Sequence, residues 1–455
     1  MIAMPDRTQA PQPGLSIKYQ LPGIEKFILS SGIEIYSVKK DKLPVVFAEL
    51  IVFSGSRYDG ENKKGLSYLT SCLIDEGAGE YDSLQLSGEF EKLGSVFSIS
   101  SDHDKTIFSI MSLKENFSRT LELLSKIIYK PRFEEKDFQR EKKKVIDHIL
   151  QLKDEPSFIA SAAFEHLIFE STCYGYPEIG FSGDLENISN IDVRNFYGTN
   201  FLQSPASVVI VGNFNSSEII ERFENEFGNW NLSPERTIRF IQPGIREASY
   251  FMVHKENSPQ SELRIGHLSK LRSAPDYIPA RLMNAILGGQ FSSRINLNLR
   301  ENKGFTYGAT SAFLYYRESA FFEISTAVNI ENSGQAVKEI LKEIDGIRYS
   351  ISENEIYFAK SYLIKQFPSQ FETYPQIAKN IESLLIHSLD LNQLSLYTGR
   401  IEAASADEIR RAALENIFPD KMTVLIAGDR IKIREQLKSA LNAEPTEVDL
   451  YGNPV

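Results

Sequence analysis

The residue types that most often carry enzyme chemistry, cysteine and histidine, are few in this chain and widely spaced. Cys72 and Cys173 lie too far apart in sequence to indicate a disulfide framework. Four of the six histidines have no metal-ligand spacing between them and are expected to be packing or surface residues: His166, His254, His267 and His387. His103 stands between two aspartates at the expected end of a hairpin, where we expect it to be exposed to solvent. Spacing alone therefore predicts no metal centre.

Two segments in the first quarter of the chain have the order of a buried strand followed by a helix. Residues 43–59 (LPVVFAELIVFSGSRYD) are an apolar run that ends in a Gly-Ser-Arg-Tyr turn, and residues 65–77 (GLSYLTSCLIDEG) open a helix with Gly-Leu. This order resembles the pitrilysin and insulysin family of inverted-motif zinc metallopeptidases, which includes the mitochondrial processing peptidase subunits. Further motifs in the family's order extend the resemblance over nearly the whole chain: residues 152–156 (LKDEP), 173–180 (CYGYPEIG) and 288–295 (GGQFSSRI).

In that family the helix after Gly-Leu carries His-x-x-Glu-His, which supplies two zinc ligands and the general base. The resemblance puts Tyr68 and Cys72 at the two histidine positions and Ser71 at the base position. A later family helix supplies a glutamate ligand, and the matching stretch, residues 141–149 (EKKKVIDHI), has His148 there. A serine hydroxyl is not a base near neutral pH, and the remaining groups make a poor ligand set. We therefore expect no metal in this chain and no hydrolysis by this chain alone.

A second motif of the family is kept at residues 299–307 (LRENKGFTY). The resemblance implies that Arg300 and Tyr307 contact the substrate backbone opposite the zinc. A guanidinium and a phenol can donate hydrogen bonds to a peptide carbonyl that gains negative charge in the transition state. The alternative is structural, with Arg300 at a helix C-terminus and Tyr307 packed on a sheet. Sheet and core packing is also expected for five nearby aromatic residues: Phe291, Phe305, Phe313, Tyr315 and Tyr316.

Composition excludes several classes of protein. Of the 455 residues, 61 are acidic and 50 are basic, which gives a formal charge of −11, and the basic residues are scattered. The chain therefore has no electrostatic footprint for nucleic acid or an anionic membrane. It also contains no run of 18 apolar residues that could span a membrane, and residues 1–14 lack the apolar core of a signal peptide. We expect a soluble protein, either cytoplasmic or, if its start is processed, periplasmic.

An internal repeat predicts the architecture. Residues 185–214 align without gaps with residues 401–430, at an offset of 216. Each copy has a Ser-x-x-Asp or Ser-x-x-Glu capping box and then a short apolar run that ends in glycine, as a buried strand does. Each half of the chain therefore ends with a helix, a turn and a strand. Duplication of one α+β domain explains the repeat.

We predict an α+β fold of two duplicated domains, each an antiparallel sheet with helices packed on one face, which together form half of a clam-shell. The predicted boundaries are a flexible N-terminus over 1–14, a first peptidase-like domain over 15–232, a linker over 233–247, a second peptidase-like domain over 248–440 and a C-terminal tail over 441–455. Within the first domain the pattern predicts helices at 65–75, 114–129 and 134–152 and paired strands within 95–110.

The leading functional hypothesis is a non-catalytic subunit of a heterodimeric zinc peptidase. Its partner would be a homologous subunit with an intact His-x-x-Glu-His helix and the zinc, and the chamber between the two would hold an unfolded peptide or small protein. This chain would supply Arg300 and Tyr307 in trans and no cofactor. A second hypothesis is a catalytically inert scaffold or peptide-binding clamp, and a homodimer also stays open. A third is thiol chemistry by Cys72 with His148, which requires a low pKa at Cys72.

Overall fold

A computed structural model of the protein describes residues 19–231, 240–244 and 246–455. The predicted flexible N-terminus, residues 1–14, lies outside the described residues, as do residues 233–239 and 245 of the predicted linker. The strands are β1 (Ile24–Ile28), β2 (Glu34–Lys39), β3 (Val45–Val52), β4 (Gly77–Ala78), β5 (Tyr81–Asp82), β6 (Val96–Ser101), β7 (Thr106–Leu113), β8 (Ala206–Gly212), β9 (Ser249–His254), β10 (Gln260–Leu268), β11 (Ala309–Tyr315), β12 (Ala320–Asn329), β13 (Thr423–Gly428) and β14 (Thr446–Val448).

Helices occupy most of the remaining chain. They are α1 (Leu66–Ser71), α2 (Ser83–Lys92), α3 (Phe117–Tyr129), α4 (Glu135–Leu152), α5 (Pro156–Phe169), α6 (Ser182–Asn187), α7 (Asn190–Phe196), α8 (Ser216–Phe227), α9 (Tyr277–Leu287), α10 (Arg294–Asn296), α11 (Ser333–Tyr349), α12 (Glu353–Gln366), α13 (Tyr374–Ile386), α14 (Asn392–Ala403), α15 (Ala406–Asn416) and α16 (Arg430–Leu441). No helix of the described residues is both long and apolar enough to cross a membrane.

The first six-stranded sheet has the order β1-β2-β8-β3-β7-β6. All seven residues of β8 are buried, as the uninterrupted apolar sequence of this strand predicts. Helices α1, α3, α4 and α8 cover one face of the sheet. There Leu69, Phe117, Val145 and Phe223 share an apolar core with Val208 of β8. The sheet thus holds α1, which carries two of the degenerate zinc positions and is followed directly by a third, at a fixed place over its strands.

The second six-stranded sheet has the order β11-β12-β10-β13-β9-β14 and repeats the plan of the first. Strand β13 occupies the place of β8, as the repeat predicts. The two predicted capping boxes are present: the Ser189 and Ser405 hydroxyls each accept a hydrogen bond from the amide three residues on. The predicted duplicated α+β fold is therefore confirmed. Part of the segment that we set apart as a tail belongs to this sheet, because β14 pairs with β9.

The sheets are not purely antiparallel, which corrects one part of the prediction. Strand β8 pairs parallel with β2 and antiparallel with β3, and β13 pairs parallel with β9 and antiparallel with β10. The reason is topological. Strands β2 and β3 run in opposite directions, so a strand inserted between them must be parallel to one and antiparallel to the other.

The prediction of helices on only one face of each sheet is also wrong. Helix α13 of the second half covers the other face of the first sheet, where Ile377 and Ile381 pack with Val209 and Phe47. Helix α5 of the first half covers the other face of the second sheet in the same way. Because both faces of each sheet are buried, the central strands carry apolar residues at most positions. The two halves therefore interlock by exchanging one helix each.

Candidate functional site

Two glycines bring the start of α1 against the loop that follows α5. Gly65, just before α1, has a φ of +96°, and Gly180 has a φ of +77°. A Cβ atom on Gly180 would lie 2.1 Å from the carbonyl oxygen of Lys64, so no larger residue fits there. The Asp59 carboxylate accepts hydrogen bonds from the amides of Gly65 and Ser67, at 2.8 Å each, and so caps the helix start. The family-like motifs thus build the frame that holds α1.

Tyr68, Ser71 and Cys72 lie in and directly after the last turn of α1, in packed surroundings. The Ser71 hydroxyl donates a hydrogen bond to the Tyr68 carbonyl oxygen at 2.7 Å, so it is engaged within its own helix. Burial, together with the carboxylates of Glu141 and Asp75, raises the pKa of Cys72 to about 12. A thiol with that pKa is protonated near neutral pH. This finding contradicts the hypothesis of a low-pKa nucleophile.

His148, the fourth degenerate position, lies on α4 and is exposed to solvent. Glu141, two turns earlier, is buried and pairs with Arg140 at 3.0 Å and Lys144 at 2.6 Å. Within the described chain, no three His, Cys, Asp or Glu side chains are arranged to hold a metal ion. A catalytic zinc needs three ligands, a bound water and a base for that water. The protonated thiol, the exposed imidazole and the engaged serine hydroxyl do not fit this requirement.

Arg300 and Tyr307 lie at the surface of the second half, shortly before the edge strand β11. Tyr307 is 94% exposed, so its ring does not pack on a sheet as the structural alternative requires. The Arg300 guanidinium lies 3.9 Å from the centre of the Phe291 ring, and its Nε is 3.3 Å from a Glu301 carboxylate oxygen. The expectation that Phe291 packs in the core is wrong, because this residue is 66% exposed. The pair therefore presents a cation held on an aromatic ring and a phenol that faces solvent.

A buried polar cluster that no motif predicts lies at the junction of the two halves. Arg57, which is 5% exposed, pairs with Asp104 at 3.2 Å and with Glu318 of the second half at 2.5 Å. The Tyr174 hydroxyl donates to one Asp104 oxygen at 2.8 Å, and the Arg317 amide donates to the other at 2.9 Å. A buried carboxylate is tolerated when its oxygens are paired in this way. The family-like segments around Arg57 and Tyr174 therefore build the joint between the halves.

His103 belongs to the same junction, and the prediction that it is exposed is wrong. Its side chain is 1% exposed, with Nδ1 2.7 Å from the Ser56 hydroxyl and Nε2 3.7 Å from the Glu178 carboxylate. Three tyrosine rings stand edge-on to it at centroid distances of 5.2 to 6.0 Å: Tyr174, Tyr176 and Tyr316. The hairpin end is therefore covered by tertiary contacts that its charged sequence does not indicate.

Two protein-family models match this chain, and each covers a different part of it. The family model described as "Insulinase (Peptidase family M16)" matches residues 35–175, and the one described as "Peptidase M16 inactive domain" matches residues 187–363. A relative named "Probable mitochondrial-processing peptidase subunit beta" from Arabidopsis thaliana is 18% identical over 386 residues, which cover 82% of this chain and 72% of that protein. A relative named "Non-peptidase homolog YmxG" from Helicobacter pylori is 21% identical over 403 residues, which cover 86% and 90% of the two chains.

The fold is also known from a crystal structure. The structure described as a peptidase M16 inactive domain from Pseudomonas fluorescens superposes with a TM-score of 0.83 at 22% identity, and the match covers 90% of this chain and 98% of that one. At this identity the likeness concerns the fold. The fold of this chain is therefore that of the solved M16 inactive domain.

Proposed function

Since the chain belongs to the insulinase family (peptidase family M16), we propose that it is the non-catalytic subunit of a heterodimeric zinc metallopeptidase. It is related both to a protein named as a peptidase subunit and to one named as a non-peptidase homologue. In the proposed complex, the homologous partner carries the zinc and the intact His-x-x-Glu-His helix. This chain forms the other half of the chamber that encloses an unfolded peptide.

One contrast carries the proposal. The four positions expected to hold the ligands and the base are occupied by residues that do not fit zinc, whereas the expected substrate-contact pair is present and accessible. Tyr307 gains no packing energy from its place in this chain, since 94% of it is exposed. The exposed Tyr307 phenol is available to donate to a substrate carbonyl whose oxygen becomes negative in the transition state. Arg300 and Tyr307 would then act in trans.

The test is cleavage of a quenched fluorescent peptide by this chain alone, by its zinc-motif homologue from the same genome, and by their purified complex. We expect activity only in the complex, with zinc held by the partner. Replacing Arg300→Ala together with Tyr307→Phe should lower kcat on the order of 10- to 100-fold, as expected for lost transition-state donors. The matched controls Arg411→Ala and Tyr349→Phe, both exposed, should leave kcat unchanged. An active zinc-bearing complex that tolerates the double variant would refute the role of the pair.

A second candidate function is an inert scaffold or peptide-binding clamp, and the relative named as a non-peptidase homologue favours it. The same experiment separates the two functions. A stable complex whose partner also lacks the zinc motif, and which binds the peptide without cleaving it, would support the scaffold or clamp.

A further inference from the structure

Two adjoining cavities share Tyr277, Arg281 and Gln370 in their walls: one of about 310 Å³ lies between α9, α12 and β11, and one of about 90 Å³ lies between α9, α13 and α14. We propose that they form a binding site for a small anion that carries a phosphate or carboxylate group. Arg281 would be its central ligand. The degenerate zinc positions and the Arg300–Tyr307 pair lie outside these walls, so the inference is independent of the proposed function.

The walls carry positive charge that no acidic side chain balances. Arg272, Arg281 and the exposed Arg400 line the smaller cavity, and Arg281 also lines the larger one. None of the described lining residues of either cavity is aspartate or glutamate. Asp276, in the same segment as Arg272, is engaged by Lys270 at 2.6 Å and by Asn416 at 2.8 Å. Withdrawing a guanidinium from water without an opposite charge costs free energy. In a chain with a net charge of −11, two partly buried arginines without an acidic residue in the wall of the smaller cavity indicate that a ligand supplies the negative charge.

Aromatic rings, rather than carboxylates, hold the two inner arginines. The Arg272 guanidinium lies 3.2 Å from the centre of the Tyr277 ring, and that of Arg281 lies 5.5 Å from the centre of the Tyr397 ring. Arg281 Nη1 donates to the Tyr277 hydroxyl at 2.9 Å. Stacking on rings orients a guanidinium but leaves most of its N–H groups unused. The arginines are therefore pre-positioned to donate to an oxyanion.

One buried polar atom supports the presence of a ligand. Arg281 Nε is buried and has no hydrogen-bond partner among the described residues. Buried donors are nearly always paired in folded proteins, and an unpaired one points to a missing partner. A guanidinium whose Nε is free can bind phosphate or carboxylate through two parallel hydrogen bonds. The arginines line the cavity of about 90 Å³, which suits a small oxyanion, and Arg281 also lines the cavity of about 310 Å³ beside it.

The binding test is calorimetric titration of the full chain with sodium phosphate and with sodium citrate, at constant ionic strength set with sodium chloride. We expect saturable binding at one site, and the tighter of the two anions identifies the group that the site prefers. Arg281→Met should weaken binding at least about tenfold. Arg281→Lys should weaken it less, because it keeps the charge and loses the planar fork. Arg411→Met, an exposed arginine outside the cavities, should bind as the unchanged protein does.

Three results would overturn the proposal: no saturable binding of either anion, unchanged affinity in a folded Arg281→Met protein, or an equal loss of affinity in Arg411→Met. The last would show a general charge effect. Circular dichroism establishes that each variant is folded. If Arg281→Met does not fold, Arg272→Met takes its place, with the same expected loss and the same outcomes.

Discussion

Helices α5 and α13 make equivalent contacts on opposite sheets, but the charges that they bury differ. Beneath α13, the Glu382 carboxylate lies 3.1 Å from Lys105 Nζ, and Lys105 also pairs with Asp102. Glu49 of β3 faces the same helix. Burial and the nearby Glu382 raise the pKa of Glu49 to about 7, while Lys105 and Lys379 oppose that rise. The contact beneath α13 therefore buries two carboxylates, and the positive charge of nearby lysines offsets part of their negative charge.

Beneath α5, none of the described residues forms an ion pair with the Glu165 carboxylate, which accepts a hydrogen bond from the Tyr316 hydroxyl at 3.5 Å. Arg264, on the facing strand, pairs at 2.9 Å with Glu262, and its charge opposes the rise in the pKa of Glu165 without a direct contact. Burial, and then the carboxylates of Glu178 and Glu323, raise the pKa of Glu165 to about 8.

Because of this difference, the stability of the α5 contact should depend on pH more than that of the α13 contact. The charges of Lys105 and Lys379 hold the pKa of Glu49 down in the α13 contact. The α5 contact is at its most stable with Glu165 protonated. Both contacts hold the two halves together, so both couple protonation to the interlocking of the domains.

The largest expected effect comes from breaking the charge-balanced joint beside α5. Arg57→Met leaves the Asp104 carboxylate buried without its cation, and we expect the free energy of unfolding to fall by about 3 kcal/mol. Urea denaturation at pH 7 measures the change. The control is Arg222→Met, which removes an exposed pair with Glu218 and should cost less than about 1 kcal/mol. Similar losses in the two variants would mean that the junction is not held by its charges.

Local sequence patterns predicted the elements well. The helices expected at 114–129 and 134–152 are α3 (Phe117–Tyr129) and α4 (Glu135–Leu152), and the strand pair expected within 95–110 is β6 and β7. Amphipathic spacing and caps act over a few residues, so the chain itself displays them. The exchange of α5 and α13 is different. An apolar helix such as α5 indicates burial, but the sequence does not state which sheet will cover it.

In the candidate site, too, the sequence predicted the local features and not the contacts between distant segments. The motifs placed Tyr68, Ser71 and Cys72 together at the end of α1, where the structure has them. The junction cluster was missed because its contacts join distant segments, such as Asp104 with the Arg317 amide. One feature of the sequence could have indicated the junction. The Gly-Ser-Arg-Tyr turn and the loop at 173–180 belong to the family pattern but contain no zinc ligand, so a structural role was open to them.

The next effect in size concerns Glu165 and the pH. A carboxyl whose pKa is raised in the folded state adds stability below its ordinary pKa range, and that stability is lost as the pH rises through about 8. Glu165→Gln cannot ionise. We expect this variant to be about 1 to 2 kcal/mol more stable than the unchanged protein at pH 9, with little difference at pH 5. Urea midpoints across that range measure the change, and Glu221→Gln, an exposed substitution on α8, is the control. A constant difference at all pH values would contradict the assignment.

The smallest effect is expected at Glu49, and it tests the cause of the difference between the contacts. Its pKa of about 7 places the loss of stability at lower pH than for Glu165. Glu49→Gln should therefore gain stability over the unchanged protein between pH 5 and 8, by less than about 1 kcal/mol, because lysines already offset part of the buried charge. In a Lys105→Met background, the same substitution should give a larger gain, shifted to higher pH. An unchanged window in that background would show that Lys105 does not hold the pKa of Glu49 down, and the difference between the α5 and α13 contacts would then come from burial alone.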